Sequence, residues 1–363
     1  MKIGLLIYGS LDTLSGGYLY DRKLVEFLRA QGDDVRVISL AWRNYAAHLG
    51  DNFSFRLPPG LDILIQDELN HPSLLAANAS TGSARRQQKP YPVVSLVHHL
   101  RCSELRPRWQ NDFYRFVERR YLQSVDGFIF NSQTTRGVVT ELIGDEKPGI
   151  VAYPPTDRFG AALPEDFVRA RAAAPSPLQI LFLGNVIPRK GLDTLLEAIH
   201  RQNAAIHLDV VGSLTTDPAY GEKMRALAST VHRPPSTVSF HGPLNNAPLV
   251  EKLKSAHVLV VPSSYEGFGI VYLEGMAFGL PAIGTTAGAA GEIIREGETG
   301  FLIAPGDAET LAARLEAFST DRALLARMGL AALQRYAQQP GWQQTAAEIR
   351  AFLQRMINGP YGE

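Results

Sequence analysis

The sequence predicts an α/β protein built from two doubly wound parallel sheets. Two series of short apolar runs, one in each half of the chain, alternate with helical patterns. Most runs are apolar at nearly every position, which is typical of strands that helices cover on both faces. The length of 363 residues also favours two domains. We therefore expect two doubly wound α/β domains, with ligands bound at the carboxyl ends of their strands.

The chain order of these elements sets the expected domain boundaries. The first series of predicted strands covers 2–8, 34–40, 62–66, 93–97, 127–131 and 150–154. The second covers 179–185, 207–212, 238–242, 258–263, 281–286 and 300–304. Residues 160–178 lack a strand pattern and contain several prolines, so they are interpreted as a linker between domains at 1–159 and 179–341. We expect the last amphipathic segment, 342–363, to pack on the first domain.

Composition excludes several classes of protein. Lys plus Arg and Asp plus Glu both number 36, and such a balance argues against a dedicated nucleic-acid binder. The single cysteine, Cys102, excludes an intrachain disulfide framework and a cysteine-rich zinc site. Since no apolar run reaches the length of a signal-peptide core or a membrane span, we expect a cytoplasmic protein, at most peripheral at the inner membrane face.

Two candidate site elements follow strands of the first domain. Gly16 and Gly17 come after the first strand and open a helix, where glycines let backbone N–H groups approach an anion. A tight structural turn explains them equally well. His98 and His99 end the fourth strand. Neighbouring residues of a strand point to opposite faces, so we expect only one of the two to reach the carboxyl edge.

The second domain carries the strongest motif. Its first strand ends in a loop with Arg189 and Lys190, two cations suited to a diphosphate. After the fourth strand, Glu266 precedes a glycine-rich loop that opens a helix carrying Glu274, a spacing expected to place Glu274 two turns into it. Paired acidic side chains of this kind accept hydrogen bonds from sugar hydroxyls. A further loop-to-helix turn with Glu292 lies at 288–292.

These motifs together resemble family 4 of the glycosyltransferases, retaining enzymes of the GT-B fold with an E-x7-E signature, here EGFGIVYLE. The resemblance extends over almost the whole chain. It implies two Rossmann-like domains facing across a cleft, and transfer of a hexose from a UDP- or GDP-linked sugar. It also implies retention of anomeric configuration without a metal or other cofactor, and Asp-x-Asp metal spacing is indeed absent.

The resemblance also assigns roles to individual positions. Glu266 would contact the transferred sugar and Glu274 the nucleotide ribose, while Arg189 and Lys190 would clamp the diphosphate. His98, or alternatively His99, would contact the sugar near the reacting centre. The remaining expected donor contacts are Gly16, Gly17, Asn185, Gly267, Phe268, Gly269 and Ile270. Asn185 departs from the family, in which arginine is common at this position, so either Arg189 compensates or the diphosphate clamp is weaker.

The acceptor is open at this stage. Residues 85–121 hold nine basic residues against three acidic ones, with aromatic residues between them. This segment suits an anionic or lipid-linked acceptor, an anionic membrane surface, or an ordinary exposed helix face. Asp67 and Glu68 follow the third strand and either line the acceptor site or cap a helix. A nucleotide-sugar epimerase and a non-catalytic nucleotide-sugar-binding protein of the same fold are the alternative functions.

Overall fold

The computed structural model describes residues 1–13, 15–79, 90–155, 157–160, 162–174, 177–202, 204–231 and 236–359. The chain divides into two compact units, Met1–Pro155 with Pro340–Glu363 and Thr156–Gln339. Among the described residues, no helix combines the length and apolar character that a membrane span requires.

The first unit is built on a six-stranded, entirely parallel sheet in the order β2-β1-β3-β4-β5-β6. Its strands are β1 (Lys2–Tyr8), β2 (Asp34–Leu40), β3 (Ile63–Asp67), β4 (Val93–Val97), β5 (Gly127–Phe130) and β6 (Gly149–Val151). Its helices are α1 (Gly16–Ala30), α2 (Tyr45–Gly50), α3 (His71–Ala79), α4 (Arg108–Ser124) and α5 (Gln133–Ile143). Buried residues on both faces of the sheet form two apolar clusters.

The second unit repeats this plan with a parallel sheet in the order β12-β11-β10-β7-β8-β9. Its strands are β7 (Leu178–Leu183), β8 (Ile206–Val211), β9 (Thr237–Gly242), β10 (Val258–Val260), β11 (Ala282–Thr285) and β12 (Gly300–Ile303). Its helices are α6 (Glu165–Ala173), α7 (Leu192–His200), α8 (Pro218–Val231), α9 (Asn246–Ser255), α10 (Ile270–Met276), α11 (Ala290–Ile293), α12 (Ala308–Thr320) and α13 (Arg322–Ala337). The twelve strands of the described residues all lie where the apolar runs predict them.

The final helix, α14 (Trp342–Asn358), lies in the first unit. Its apolar face, including Ile349 and Phe352, joins the core that Ile3 and Leu24 form between β1 and α1. Arg350 adds an anchor to a buried acid, because its Nε donates to Asp33 Oδ2 over 2.7 Å.

The segment 160–178 differs from its interpretation as a linker. It contains α6, whose Val168 and Ala172 are buried four residues apart on one face. Val168 packs so closely against Gly279 and Gly329 that a Cβ at either glycine would lie within 3 Å of it. Proline content outweighed this short apolar pattern in the sequence, whereas the structure places the whole helix in the second unit. Residues 161 and 175–176 of the segment lie outside the described residues.

Candidate active site

The second unit brings its predicted site residues to one place, the switch point of its sheet. Strands β7 and β10 are neighbours in the middle of the sheet. From β7 the chain continues toward one edge, to β9, and from β10 toward the other edge, to β12. The loops after β7 and β10 therefore run in opposite directions and leave a crevice between them. Open parallel sheets bind ligands at such crevices. Arg189 and Lys190 follow β7, and Glu266 follows β10.

Glu266 is the centre of a buried ionic cluster. Its side chain is only 8% exposed and forms an ion pair with the Lys190 ammonium. Ser263 Oγ donates to Glu266 Oε1 over 2.6 Å, and Arg189 Nη1 lies 3.9 Å from Oε2. Burial by itself raises the pKa of Glu266, but the charges of Lys190 and Arg189 outweigh it and hold the pKa below its usual value. The carboxylate therefore stays ionised.

Arg189 also ties the two loops together through backbone groups. Its guanidinium donates to the Tyr265 carbonyl over 2.9 Å, while its own carbonyl accepts from Ser264 N–H over 2.8 Å. Gly191 ends the same turn with φ +70°, and a Cβ there would lie 2.1 Å from the Pro262 carbonyl oxygen. The loop after β7 can thus lie directly against the end of β10 only with glycine at this position.

The turn at 288–292 packs against the opposite side of the Glu266 loop. Ala289 N–H donates to the Glu266 carbonyl over 2.8 Å, and Gly288 lies so close that a Cβ would be 2.1 Å from the same oxygen. Ala289 is fully buried and fits beneath the loop. Glu292 belongs to the first turn of α11 and is partly exposed.

Glu274 has a partner that the sequence did not indicate. It is 3% exposed on α10, and its Oε1 accepts from Arg158 Nη1 over 2.8 Å. Burial raises the pKa of Glu274 and the Arg158 charge offsets part of the effect. The helix begins at Ile270, so Glu274 lies one turn from its start, and the expectation of two turns was wrong. Nothing local marks Arg158, which is 116 residues away in the chain.

The other predicted donor contacts lie in the same two loops. Asn185 Oδ1 accepts from Ser213 N–H over 3.3 Å and so joins the loops after β7 and β8. Phe268 is buried, and Gly269, at φ +91°, is the residue just before α10. Gly267 and Ile270 flank them and are partly exposed. The structure therefore gives Asn185 a contact that braces the two loops.

In the first unit, His98 and Gly17 meet at the carboxyl edge of the sheet. The His98 ring lies so close to Gly17 that a Cβ there would be 3.3 Å from Cδ2. Its Nε2 lies 3.1 Å from Oδ1 of Asp21, a fully buried residue of α1. Burial alone lowers the pKa of His98, but Asp21, Asp67 and Glu68 together raise it to about 9. The imidazole is therefore held as a cation.

His99, which like His98 lies just past the end of β4, makes a separate contact. Its Nε2 lies 3.1 Å from Glu104 Oε1, and Glu104 also accepts from Arg106 over 2.6 Å. The side chain of His99 is 32% exposed, twice the 16% of His98. Gly16, the other glycine predicted in the first unit, is the first residue of α1. Ser15 caps this helix, because its side chain accepts a hydrogen bond from Tyr18 N–H.

Three buried carboxyl groups surround His98. Burial, then the neighbouring Asp21, raises the pKa of Asp67 to about 7, and burial raises that of Glu68 to about 8. Asp21 Oδ2 has no hydrogen-bond partner. Ligand atoms of Asp21, Asp67 and His98 lie within 4.8 Å of one another, as do those of Glu68, His71 and Glu118. Each set could hold a cation, although hydrogen bonds within the protein already use most of its atoms.

Sequence reasoning missed Asp21, Ser263 and Arg158. Asp21 had a signal, because it lies three and seven residues before Leu24 and Leu28 on the buried face of α1. An acid within an apolar stripe needs a partner.

Of the basic segment 85–121, residues 85–89 lie outside the described residues.

Comparisons with known proteins agree with this fold. Residues 165–335 match the family model for glycosyl transferases group 1. Over 98% of its length the chain superposes on sucrose-phosphate synthase from Thermosynechococcus elongatus, with a TM-score of 0.77, 19% identity and 99% of that chain covered. The chain also superposes on Anabaena HepE in complex with UDP-glucose, with a TM-score of 0.72 and 17% identity. This match covers 98% of the present chain and 99% of HepE. The fold is that of the GT-B glycosyltransferases.

Curated relatives support the same broad class. D-inositol 3-phosphate glycosyltransferase from Streptomyces avermitilis is 35% identical over 54% of this chain and 43% of its own length. Glycogen synthase from Mycobacterium tuberculosis is 30% identical over 70% of this chain and 61% of its own length. The chain thus spans about half the length of the curated relatives it matches. Together with the fold, these matches support a GT-B glycosyltransferase.

Proposed function

We propose that the chain is a retaining, metal-independent glycosyltransferase of family 4. It transfers a hexose from a UDP- or GDP-linked sugar to an acceptor hydroxyl and works in the cytoplasm. The observation that carries the proposal is the Glu266, Lys190 and Arg189 cluster at the switch point of the second sheet. The complex of HepE with UDP-glucose, on the same fold, supports a nucleotide-sugar donor.

In the second unit, each charged group has a distinct task. Lys190 has three donors, so it can bind a phosphate oxygen while it keeps its contact with Glu266. Arg189 adds a second positive charge for the leaving diphosphate. The ionised Glu266 accepts from hydroxyls of the hexose, and Glu274 accepts from the ribose. Arg158 holds Glu274 in place.

In the first unit, His98 acts on the transferred sugar. Asp21 orients the ring and stabilises its cationic form, so Asp21 is a positioning residue. During transfer the bond between the anomeric carbon and the diphosphate oxygen breaks. The acceptor oxygen bonds to the same face of that carbon, through an oxocarbenium-like state, and its proton passes to the departing diphosphate. The names of the relatives differ in acceptor, so they do not select one.

Calorimetric titration with nucleotides tests the donor site. UDP or GDP should bind to the unaltered chain. Arg189→Ala/Lys190→Ala should weaken binding of the nucleoside diphosphate by roughly tenfold to a hundredfold or more, and binding of uridine or guanosine far less. Lys223→Ala/Arg225→Ala, which removes two exposed cations of α8, is the matched control. Equal losses for diphosphate and nucleoside would contradict the clamp, and absence of any nucleotide binding would contradict the function.

A chelator tests the metal-free mechanism. Release of nucleoside diphosphate from the cognate donor, followed with and without EDTA, should be unchanged because Lys190 and Arg189 supply the positive charge. If EDTA abolished turnover and a divalent ion restored it, the mechanism would be wrong. The Asp21, Asp67 and His98 set would then be the first place to look for the ion.

A further inference from the structure

One face of α4 carries a row of exposed aromatic side chains. Trp109, Phe113 and Phe116 follow one another at spacings of four and three residues, which places them on one side of the helix. They are 71%, 45% and 58% exposed. Leu105, just before the helix, is 72% exposed. These four account for most of the seven exposed large apolar side chains in the described part of the chain.

The fold itself leaves most of this row exposed. The opposite side of α4 carries Tyr121 and Leu122, which are buried in the core beneath β4 and β5. That side anchors the helix in the first unit. Among the described residues of the row, Phe113 is the one whose ring approaches other rings, those of Tyr45 at 6.0 Å and Tyr114 at 5.8 Å. The aromatic row therefore adds exposed apolar surface, most of it at Trp109 and Phe116.

Positive charge accompanies the aromatic row. Arg108, Arg115, Arg119 and Arg120 are all exposed, and none of them pairs with a carboxylate among the described residues. Arg120 lies with its guanidinium 4.9 Å from the centre of the Phe116 ring, so charge and apolar surface are contiguous. Asp112 is the one exposed acid of the helix.

We propose that this surface, the α4 face (Leu105, Arg108, Trp109, Phe113, Arg115, Phe116, Arg119 and Arg120), docks on an anionic lipid bilayer. Aromatic side chains partition into the headgroup region while arginines bind lipid phosphates, and a helix with both features lies flat in that interface. A second copy of the chain is a poorer occupant, because a two-fold contact would set the same four arginines against each other. The proposal goes beyond sugar transfer and does not depend on it.

Vesicle sedimentation tests the α4 face directly. The full chain should bind vesicles of equal parts phosphatidylglycerol and phosphatidylcholine, bind pure phosphatidylcholine far more weakly, and detach as salt is added. Arg115→Gln/Arg119→Gln should weaken binding to the anionic vesicles about tenfold or more. Trp109→Ser/Phe113→Ser should weaken it by at least as much, since both side chains would leave the interface.

Matched controls and the state of the protein in solution make the result decisive. Phe167→Ser removes an exposed aromatic side chain of the second unit, and Lys223→Gln/Arg225→Gln removes two exposed cations there. Both should bind like the unaltered chain, and circular dichroism should show every variant folded. No binding to anionic vesicles, equal binding to neutral ones, or equal losses in the controls would overturn the proposal. A dimer that Trp109→Ser/Phe113→Ser converts to a monomer would assign the face to a second copy.

Discussion

Two acidic residues of the E-x7-E motif have separate partners in this chain. Glu266 is held by Lys190, Arg189 and Ser263, whereas Glu274 is held by Arg158. The sequence singled out both acids, because Glu266 follows β10 in a glycine-rich loop and Glu274 lies on the helix that this loop opens. It could not locate Arg158 or combine Asp21 with His98, since those contacts join positions 116 and 77 residues apart in the chain.

Removing the charge of Glu274 should weaken nucleotide binding. Glu274→Gln keeps the size of the side chain but loses a charged hydrogen bond to the ribose, which costs on the order of 1.5–3 kcal/mol. Calorimetry with UDP or GDP measures the loss. Glu298→Gln, at an exposed acid of the same unit, is the control and should change nothing. Undiminished affinity in a folded Glu274→Gln protein would exclude the ribose role.

His98 should make the stability of the first unit depend on pH. Its pKa is about 9 when folded and about 6.5 when unfolded, so the native state binds more protons. The resulting stabilisation is complete below pH 6.5 and disappears as the pH rises through 9. At pH 6, the free energy of unfolding in urea should be lower for His98→Gln than for the unaltered chain, by on the order of 3 kcal/mol. This difference between the two proteins should almost disappear near pH 9. A gap that stays constant over this range would mean that His98 is neutral.

At the scale of elements, strands were more predictable than short helices. Buried parallel strands such as β1 and β7 are apolar at almost every position, so they can be recognised from the sequence as short apolar runs. Helix α6 has only two buried positions and lies between prolines, so its short apolar pattern did not separate it from a linker in the sequence. Its place is decided by Gly279 and Gly329, which come more than a hundred residues later.

Val168 should therefore matter for the second unit. Val168→Ala removes two buried methyl groups from the contact with Gly279 and Gly329, and should lower the free energy of unfolding by about 2 kcal/mol. Phe167→Ala, at the exposed neighbouring position, should have little effect. Urea unfolding of both proteins provides the comparison. If both were neutral, α6 would behave as the linker that its composition suggested.

At the scale of the molecule, the same doubly wound plan occurs twice and positions one charged cluster at each switch point. In the first unit β1 and β3 flank that point. Gly17 and Asp21 lie on α1 after β1, and Asp67 is the last residue of β3. The general place of both clusters was predictable, because carboxyl ends of parallel strands share one edge. The identity of each partner was not, because it depends on side chains that the fold brings together from distant loops.

The return of α14 to the first unit has a consequence for synthesis on the ribosome. Residues Thr156–Gln339 emerge as a whole before α14 does, so the unit made second can close first. The first unit can complete its core only after α14 has been synthesised, because Ile349 and Phe352 of that helix belong to the core. A chain ended after Gln339 should resist a brief pulse of protease at β7–β12 and be cleaved within β1–β6. Equal protection of both halves would show that the opening unit folds without its last helix.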